Sequence, residues 1–187
     1  LGVEAQASTI SEARDQAAEA MNNVMAELQA AGIDEKDIQT TRFNIYPVNK
    51  WDRDTEEEIL VGYRVSNMVT VKIRDIEKIG GIIDSVTDAG GDLTRIQNIS
   101  FTVEDPTPYQ EEARAKAFAK AKAKAEQMAS LSGETLGKTT YITESQSYYY
   151  PVPMRAAEYD IVGGGQTPIS PGEQEISVNV QIAFKIK

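Results

Sequence analysis

The sequence contains neither cysteine nor histidine, which removes most of the side chains that commonly carry out chemistry. It therefore has no thiol nucleophile, no imidazole base, no disulfide and no zinc finger. Any reaction would depend on carboxylates, lysines, tyrosines or hydroxyls. No Asp or Glu lies in a recognisable catalytic motif, so we predict no catalytic residue and no cofactor. The alternative is a hydrolase of small molecules or carbohydrates, with two carboxylates about 5 to 9.5 Å apart across a pocket.

A glycine-rich stretch containing Gly133, Gly137, Lys138 and Thr139 resembles a phosphate-binding loop. Only three residues separate the two glycines, whereas that loop requires four. The stretch also leaves a predicted helix and enters a predicted strand, while a phosphate loop leads from a strand into a helix. We therefore interpret the glycines as a helix end and a turn.

An acidic run follows the only tryptophan, Trp51, and contains Asp52, Asp54, Glu56, Glu57 and Glu58. Carboxylate oxygens suit hard cations, but the run lacks the residue order of a calcium-binding loop. We therefore predict no metal site and interpret residues 47–58 as a long hairpin loop with solvated charges. A divalent cation bound at residues 52–58 is the alternative.

Three consecutive tyrosines, Tyr148, Tyr149 and Tyr150, lie in a long Tyr-, Pro- and Gly-rich segment over residues 145–172, which we predict to be a loop. Consecutive aromatic side chains in such a loop cannot all enter one core. Either some of them contact a partner or they cover the sheet of their own subunit, and both readings remain open. With Trp51, these tyrosines are the candidate interaction surface.

The length of 187 residues predicts a single domain over residues 1–187. The formal net charge of −10 argues against nucleic-acid partners and against anionic membrane surfaces, because both would be repelled. No apolar run is long enough to span a membrane, so we expect no direct membrane insertion of this segment.

Three helices are predicted from spacing and end signals. The first has an apolar stripe, a cap at Thr9 with Glu12, and a stop at Gly32. The second runs from about Asp75 to Gly90, and the third begins with Thr107 as its cap. The apolar stripe of the first helix comprises Ala13, Ala17, Met21, Val24, Leu28 and Ala31.

Alternating apolar residues predict strands around Phe43 and Ile45, over residues 65–73, at residues 99–103 and over residues 176–186. A segment starting at Ala31 is echoed 58 positions later, and the combined order is β-α-β-β-α-β. The predicted fold class is α+β: a mainly antiparallel sheet with helices on one face. It is a split βαβ, ferredoxin-like unit extended by a third helix and two C-terminal strands.

The run Gly62-Tyr63-Arg64-Val65-Ser66-Asn67, followed by Val69 and Val71, resembles the central signature of the SIMPL-domain family, which includes bacterial oxidative-stress-defence and outer-membrane immunogenic proteins. The resemblance extends in order along nearly the whole chain. Other matching segments are residues 1–5, 37–40, 112–114, 124–125, 136–138 and 171–173.

The resemblance implies an extracytoplasmic protein, located in the periplasm, at the cell surface or outside the cell, with a signal peptide in its precursor. It also implies a homo-oligomer without established catalysis, and suggests a part in envelope or oxidative stress defence. Members of the family carry a strand ahead of the segment that matches Leu1, so we expect that strand to be missing from this chain. A sheet edge left open in this way would invite strand addition from another chain.

Overall fold

The computed structural model describes residues 1–54, 56–145, 149–152 and 167–187, with only the backbone path for 149–152. The chain forms two compact units. The first comprises Leu1–Ser100 with Asp160–Ser170, and the second comprises Phe101–Tyr159 with Pro171–Lys187. The single domain over 1–187 and the strand expected ahead of Leu1 stay predictions.

The first unit contains a four-stranded antiparallel sheet in the order β2-β3-β1-β4. Its elements follow the chain as β1 (Gly2–Ala7), α1 (Ile10–Ala30), β2 (Ile38–Asp52), β3 (Glu57–Val71), α2 (Ile79–Gly90) and β4 (Thr94–Arg95). This connection and strand order are those of a split βαβ unit, and the predicted α+β class is confirmed.

Both helices of the first unit pack on the same face of the sheet, as predicted. Helix α1 begins where the Thr9 hydroxyl accepts a hydrogen bond from the Glu12 N–H at 3.2 Å, which confirms the predicted cap. The helix stops ahead of Gly32, whose φ of 82° lies in the left-handed region. The core joins the two helices to β1 and β3 and comprises Val3, Ala5, Ala13, Ala17, Ala20, Met21, Val24, Leu28, Val65, Val69, Ile82 and Val86.

The predicted long loop over residues 47–58 is wrong. Strand β2 continues to Asp52, which pairs with Glu57 at the start of β3, and Glu56 has a φ of 54°. The end of this hairpin extends past β1, which pairs with β3 only between Tyr63 and Met68. Its residues are exposed on both faces, so they lack the apolar alternation by which strands are recognised.

The predicted strand at residues 99–103 is also wrong, because that segment is irregular and β4 ends at Arg95. No described strand pairs with residues 96–103, and an alternating pattern without a hydrogen-bonding neighbour does not make a strand.

The second unit consists of helix α3 and two pairs of antiparallel strands. The elements are α3 (Thr107–Leu131), β5 (Leu136–Ser145), β6 (Tyr149–Val152), β7 (Glu173–Ile176) and β8 (Asn179–Ile186). Strand β5 pairs with β8, and α3 packs on β8. The inner face of α3 is a row of alanines at residues 113, 117, 121, 125 and 129, of which only Ala129 is fully buried.

Three predictions for the second unit need correction. The C-terminal alternation is not one strand, since β7 ends at Ile176 and β8 begins at Asn179. The predicted loop over residues 145–172 contains the strand Tyr149–Val152. The cap of α3 is not Thr107: the Asp105 carboxylate accepts the Thr107 N–H at 3.0 Å, because Pro106 already begins the helical turn.

Candidate functional site

A cavity of about 180 Å³ in the first unit lies between the end of α1 and the start of α2. Its floor includes Ile33, Ile73 and Ile82, and its rim carries both carboxylates and cations. The charged residues of the rim are Asp34, Asp37, Asp75, Lys72, Arg74 and Lys78. Two opposed carboxylates in such a cavity would support the alternative of a carboxylate hydrolase.

The carboxylates of this cavity are engaged by cations. Arg74 holds Asp37 through two contacts, Nη1 to Oδ2 at 2.5 Å and Nη2 to Oδ1 at 3.0 Å, and the Asp37 side chain is only 8% exposed. The hydrogen bond from Arg74 lowers the pKa of Asp37. A general acid at neutral pH needs a raised pKa, so the geometry does not favour a hydrolase here.

The glycine-rich stretch after α3 does not form a phosphate loop. Gly133 follows the helix with a φ of 80°, which confirms its prediction as a helix end. Gly137, predicted as a turn residue, lies inside β5 instead. Lys138 is likewise part of β5, so no helix N-terminus follows the glycines to receive a phosphate.

The acidic run surrounds the turn between β2 and β3. The Asp52 carboxylate accepts the Asp54 N–H at 3.0 Å, which shapes the turn. Within the described ranges, no group of three or more carboxylates is placed to hold a metal ion, so the alternative of a bound cation gains no support.

The β2–β3 hairpin of the first unit carries an exposed apolar stripe, formed by Phe43, Ile45, Trp51 and Leu60. Phe43 pairs with Asn67 and Ile45 with Val65, whose side chain lies in the core beneath the helices. Side chains alternate along strands, so Phe43 and Ile45 lie on that same face. They lie beyond the cover of α1 and α2, and Phe43 is 54% exposed.

The stripe continues toward the turn. Trp51 is an even number of residues from Ile45 along β2, which places it on the same face, and it is 58% exposed. The pairing of β2 with β3 contains a bulge, because Val48 pairs with Gly62 and Asn49 pairs with Leu60, which leaves Val61 without a partner in the register. Leu60 therefore shares the face of its partner Asn49, which is the stripe face. Four large apolar side chains thus form one exposed row, the kind of surface that marks interaction sites.

The opposite face of the sheet is mixed, because it carries charged groups together with Tyr46 and Ile59, which are 38% and 43% exposed. Arg64 of β3 donates to the Gln6 side chain at 2.9 Å and lies 5.8 Å from the centre of the Tyr46 ring. Glu4 of β1 lies 3.7 Å from Arg64 and 3.9 Å from Arg95. These contacts satisfy the charged groups internally, and the three most exposed apolar side chains of the hairpin, Phe43, Trp51 and Leu60, lie on the stripe face.

The outer edge of β2 has no neighbour among the described strands, yet its centre is protected by Pro47. Leu1 and Val69 exchange two backbone hydrogen bonds, at 3.0 and 2.8 Å, so the N–H and C=O of Val69 point toward β1. The direction of these backbone groups alternates along a strand, so those of Met68 point toward β2. By the register of β2 with β3, the backbone groups of Phe43, Ile45 and Pro47 then point to the outer edge of the sheet. Proline has no N–H, and its ring occupies the place where an added strand would bond.

Of the predicted interaction residues, the structure places Trp51 on the apolar stripe. Tyr148 lies outside the described residues, as do the side chains of Tyr149 and Tyr150, whose backbones belong to β6. Their role in an interface stays a prediction. Sequence reasoning missed Phe43 and Ile45, because their alternation indicates a buried face and nothing in the pattern shows where the helices stop covering it.

The comparisons with known proteins identify the family. Residues 1–184 match the model of SIMPL, described as "Protein of unknown function (DUF541)". The chain belongs to the SIMPL family. Its run from Gly62 to Asn67 lies at the centre of β3, where Tyr63 to Asn67 pair with strands on both sides.

Relatives within the SIMPL family include the 26 kDa periplasmic immunogenic protein of Brucella melitensis, which is 33% identical over 198 residues, covering 100% of this chain and 77% of the relative. The protein of the same name from Brucella abortus is equally similar. The uncharacterised protein YggE of Escherichia coli is 29% identical over 142 residues, covering 76% of this chain and 56% of the relative. None of the helices in the described parts of this SIMPL chain is long and apolar enough to cross a membrane.

Proposed function

We propose that this chain is a non-catalytic extracytoplasmic protein that acts by associating with copies of itself or with another protein through the apolar stripe. The stripe is the observation that carries the proposal, since Phe43, Ile45, Trp51 and Leu60 are all large, apolar and exposed on one face. Burial of such a patch in an interface removes apolar surface from water, which favours association.

Support for the location comes from the Brucella relative, whose name describes a periplasmic protein and which aligns with the whole of this chain. Support for a non-catalytic role comes from the absent cysteine and histidine and from the ion-paired carboxylates of the cavity. A part in envelope or oxidative stress defence accords with the family resemblance and remains the physiological setting of the proposal.

The test is sedimentation velocity of the chain over a wide concentration range. We expect concentration-dependent association, which the double variant Phe43→Ser with Trp51→Ser should abolish. The matched control replaces Ile76 and Tyr141 with serine, since both are similarly exposed and lie outside the stripe. A wild-type chain that stays monomeric at every concentration would overturn the proposal, as would a stripe variant that associates as the wild type does.

A further inference from the structure

We infer that the partner of the apolar stripe is helix α3 of a second copy of this chain, held in place by opposite charges. The inference rests on the function proposed above, because it assigns an occupant to the same stripe. It follows from the charges that border the stripe and from a matching surface elsewhere in the chain.

The first surface is the turn end of the stripe, where apolar and acidic residues meet. Trp51 and Leu60 lie beside the acidic tip, which we define as Asp52, Asp54, Glu56, Glu57 and Glu58. No carboxylate of the acidic tip forms an ion pair with any residue in the described ranges. The acidic tip therefore has its negative charge available for a partner.

The second surface is a flank of α3, about a quarter turn around the helix from its alanine row. Between Ala113 and Ala125 the helix has five cations and no carboxylate: Arg114, Lys116, Lys120, Lys122 and Lys124. Three of them, Lys116, Lys120 and Lys124, recur every four residues, so they form one row along the helix. We call these three residues, with Met128 one step further along, the basic row.

The basic row is accessible. The alanines that pack toward β8 occupy a different row of α3, and the three lysines are exposed. Lys116 pairs with Glu112 at 2.7 Å, whereas Lys120 and Lys124 form no ion pair with the described residues. Met128 is 62% exposed, and Leu131 at the end of the helix is 83% exposed. The basic row thus combines positive charge with apolar side chains.

The two surfaces have compatible spacing. Lysines four residues apart on a helix are separated by about 6 Å along its axis. Trp51 and its cross-strand partner Glu58 share the stripe face, with Cβ atoms about 5 Å apart, whereas Asp52 and Glu57 lie on the opposite face. Glu58 can therefore face Lys124 while Met128 contacts Trp51, a contact that thioethers favour.

Charge also argues against the stripe pairing with itself in a second copy. Each chain carries a formal net charge of −10, so two copies repel unless local charges compensate. A contact between two acidic tips would add carboxylate to carboxylate. The basic row offers the opposite sign, and charge complementarity selects the orientation of partners.

The contact uses two different surfaces, so it is heterologous: each copy can offer its stripe to one neighbour and its basic row to another. Such contacts close into a ring or continue into a chain of molecules, depending on the rotation between copies.

The test uses two charge-reversed chains. One carries Glu56→Lys, Glu57→Lys and Glu58→Lys in the acidic tip, and the other carries Lys116→Glu, Lys120→Glu and Lys124→Glu in the basic row. We expect each to sediment as a monomer at low salt, while an equal mixture associates again, because the reversed tip of one then faces the reversed row of the other. Wild-type association should weaken as salt is added.

The control for the reversed tip carries Glu19→Lys, Asp88→Lys and Glu134→Lys, and the control for the reversed row carries Lys36→Glu, Lys78→Glu and Lys187→Glu. Each matches the net-charge change of its counterpart at exposed sites outside both surfaces, and each should keep associating. The inference is overturned if either reversed chain associates as the wild type does, or if the mixture stays monomeric. A third outcome separates the two proposals: the wild type associates, the variant with Phe43→Ser and Trp51→Ser stays monomeric, and charge reversal has no effect. The proposed function then stands, and only α3 is excluded as the partner. A monomeric wild type removes both.

Discussion

Arg74 and Asp37 form a two-point ion pair that joins the end of β3 to the turn before β2, with the shorter contact at 2.5 Å. The pKa of Asp37 is lowered, because the Arg74 hydrogen bond favours the charged carboxylate. The unfolded chain therefore binds more protons at Asp37 than the folded chain in acid. Stability from this pair is present above the ordinary carboxyl pKa and is lost as pH falls through the folded pKa.

Replacing Arg74 with Gln should make the loss of stability between about pH 5 and pH 2 shallower, since the pKa of Asp37 then approaches its unfolded value. Urea unfolding at a series of pH values measures this slope. Lys78→Gln removes one positive charge from an exposed pair with Asp75 and should leave the slope unchanged. An equal slope in the wild type and in the Arg74 variant would show that the ion pair does not govern acid stability.

Gly62→Ala should destabilise the first unit by about 3 kcal/mol or more. Gly62 has a φ of 153°, and a Cβ there would collide with the Ala7 carbonyl oxygen of the neighbouring backbone. Gly32→Ala is the matched control, since Gly32 also has a positive φ but open space around it. It should cost only about 1 kcal/mol in urea unfolding, and equal costs for the two variants would contradict the steric explanation.

Asn67→Leu should stabilise the chain or leave it unchanged. The Asn67 Oδ1 is buried without a hydrogen-bond partner among the residues that the structure describes, although it belongs to the family-like run in β3. An unsatisfied buried acceptor costs about 1 to 3 kcal/mol, which an apolar side chain of similar size would recover. Asn67→Asp should instead lower the melting temperature by adding charge at the same place. A clear loss of stability in the Leu variant would indicate that Asn67 has a partner in solution.

Thr9→Ala should cost about 1 kcal/mol, because it removes the hydroxyl that accepts the Glu12 N–H at the start of α1. Ser11→Ala, two residues further along in the first turn of α1, should change stability by less than about 0.5 kcal/mol. Chemical denaturation of both variants measures the difference. If the two substitutions had the same effect, the cap would not be the source of stability.

Local signals predicted the fold well where they act over a few residues. The cap at Thr9, the stop at Gly32 and the apolar stripe of α1 all depend on neighbours within one or two turns, and each is confirmed. The errors occur where distant partners decide the outcome. Residues 99–103 have the alternation of a strand but no described strand beside them, and residues 47–52 are strand rather than loop because β2 and β3 pair as far as Asp52 and Glu57.

The candidate surface was predicted only in part, for the same reason. Trp51 is conspicuous as the only tryptophan beside an acidic run, and it is exposed. Phe43 and Ile45 look like core residues, since alternation shows which side chains share a face but not how far α1 and α2 extend over it. How far the helices cover the sheet depends on the packing of the whole unit, so it cannot be predicted from the alternation within one strand.

The two edge strands of the four-stranded sheet determine how readily the protein could aggregate through its backbone. Strand β4 has only two residues, and Pro47 interrupts the outward hydrogen-bonding positions of β2. Neither border offers the long, uninterrupted ladder on which sheets stack into cross-β fibrils. The molecule can therefore display aromatic surface at high concentration while its backbone discourages polymerisation into amyloid.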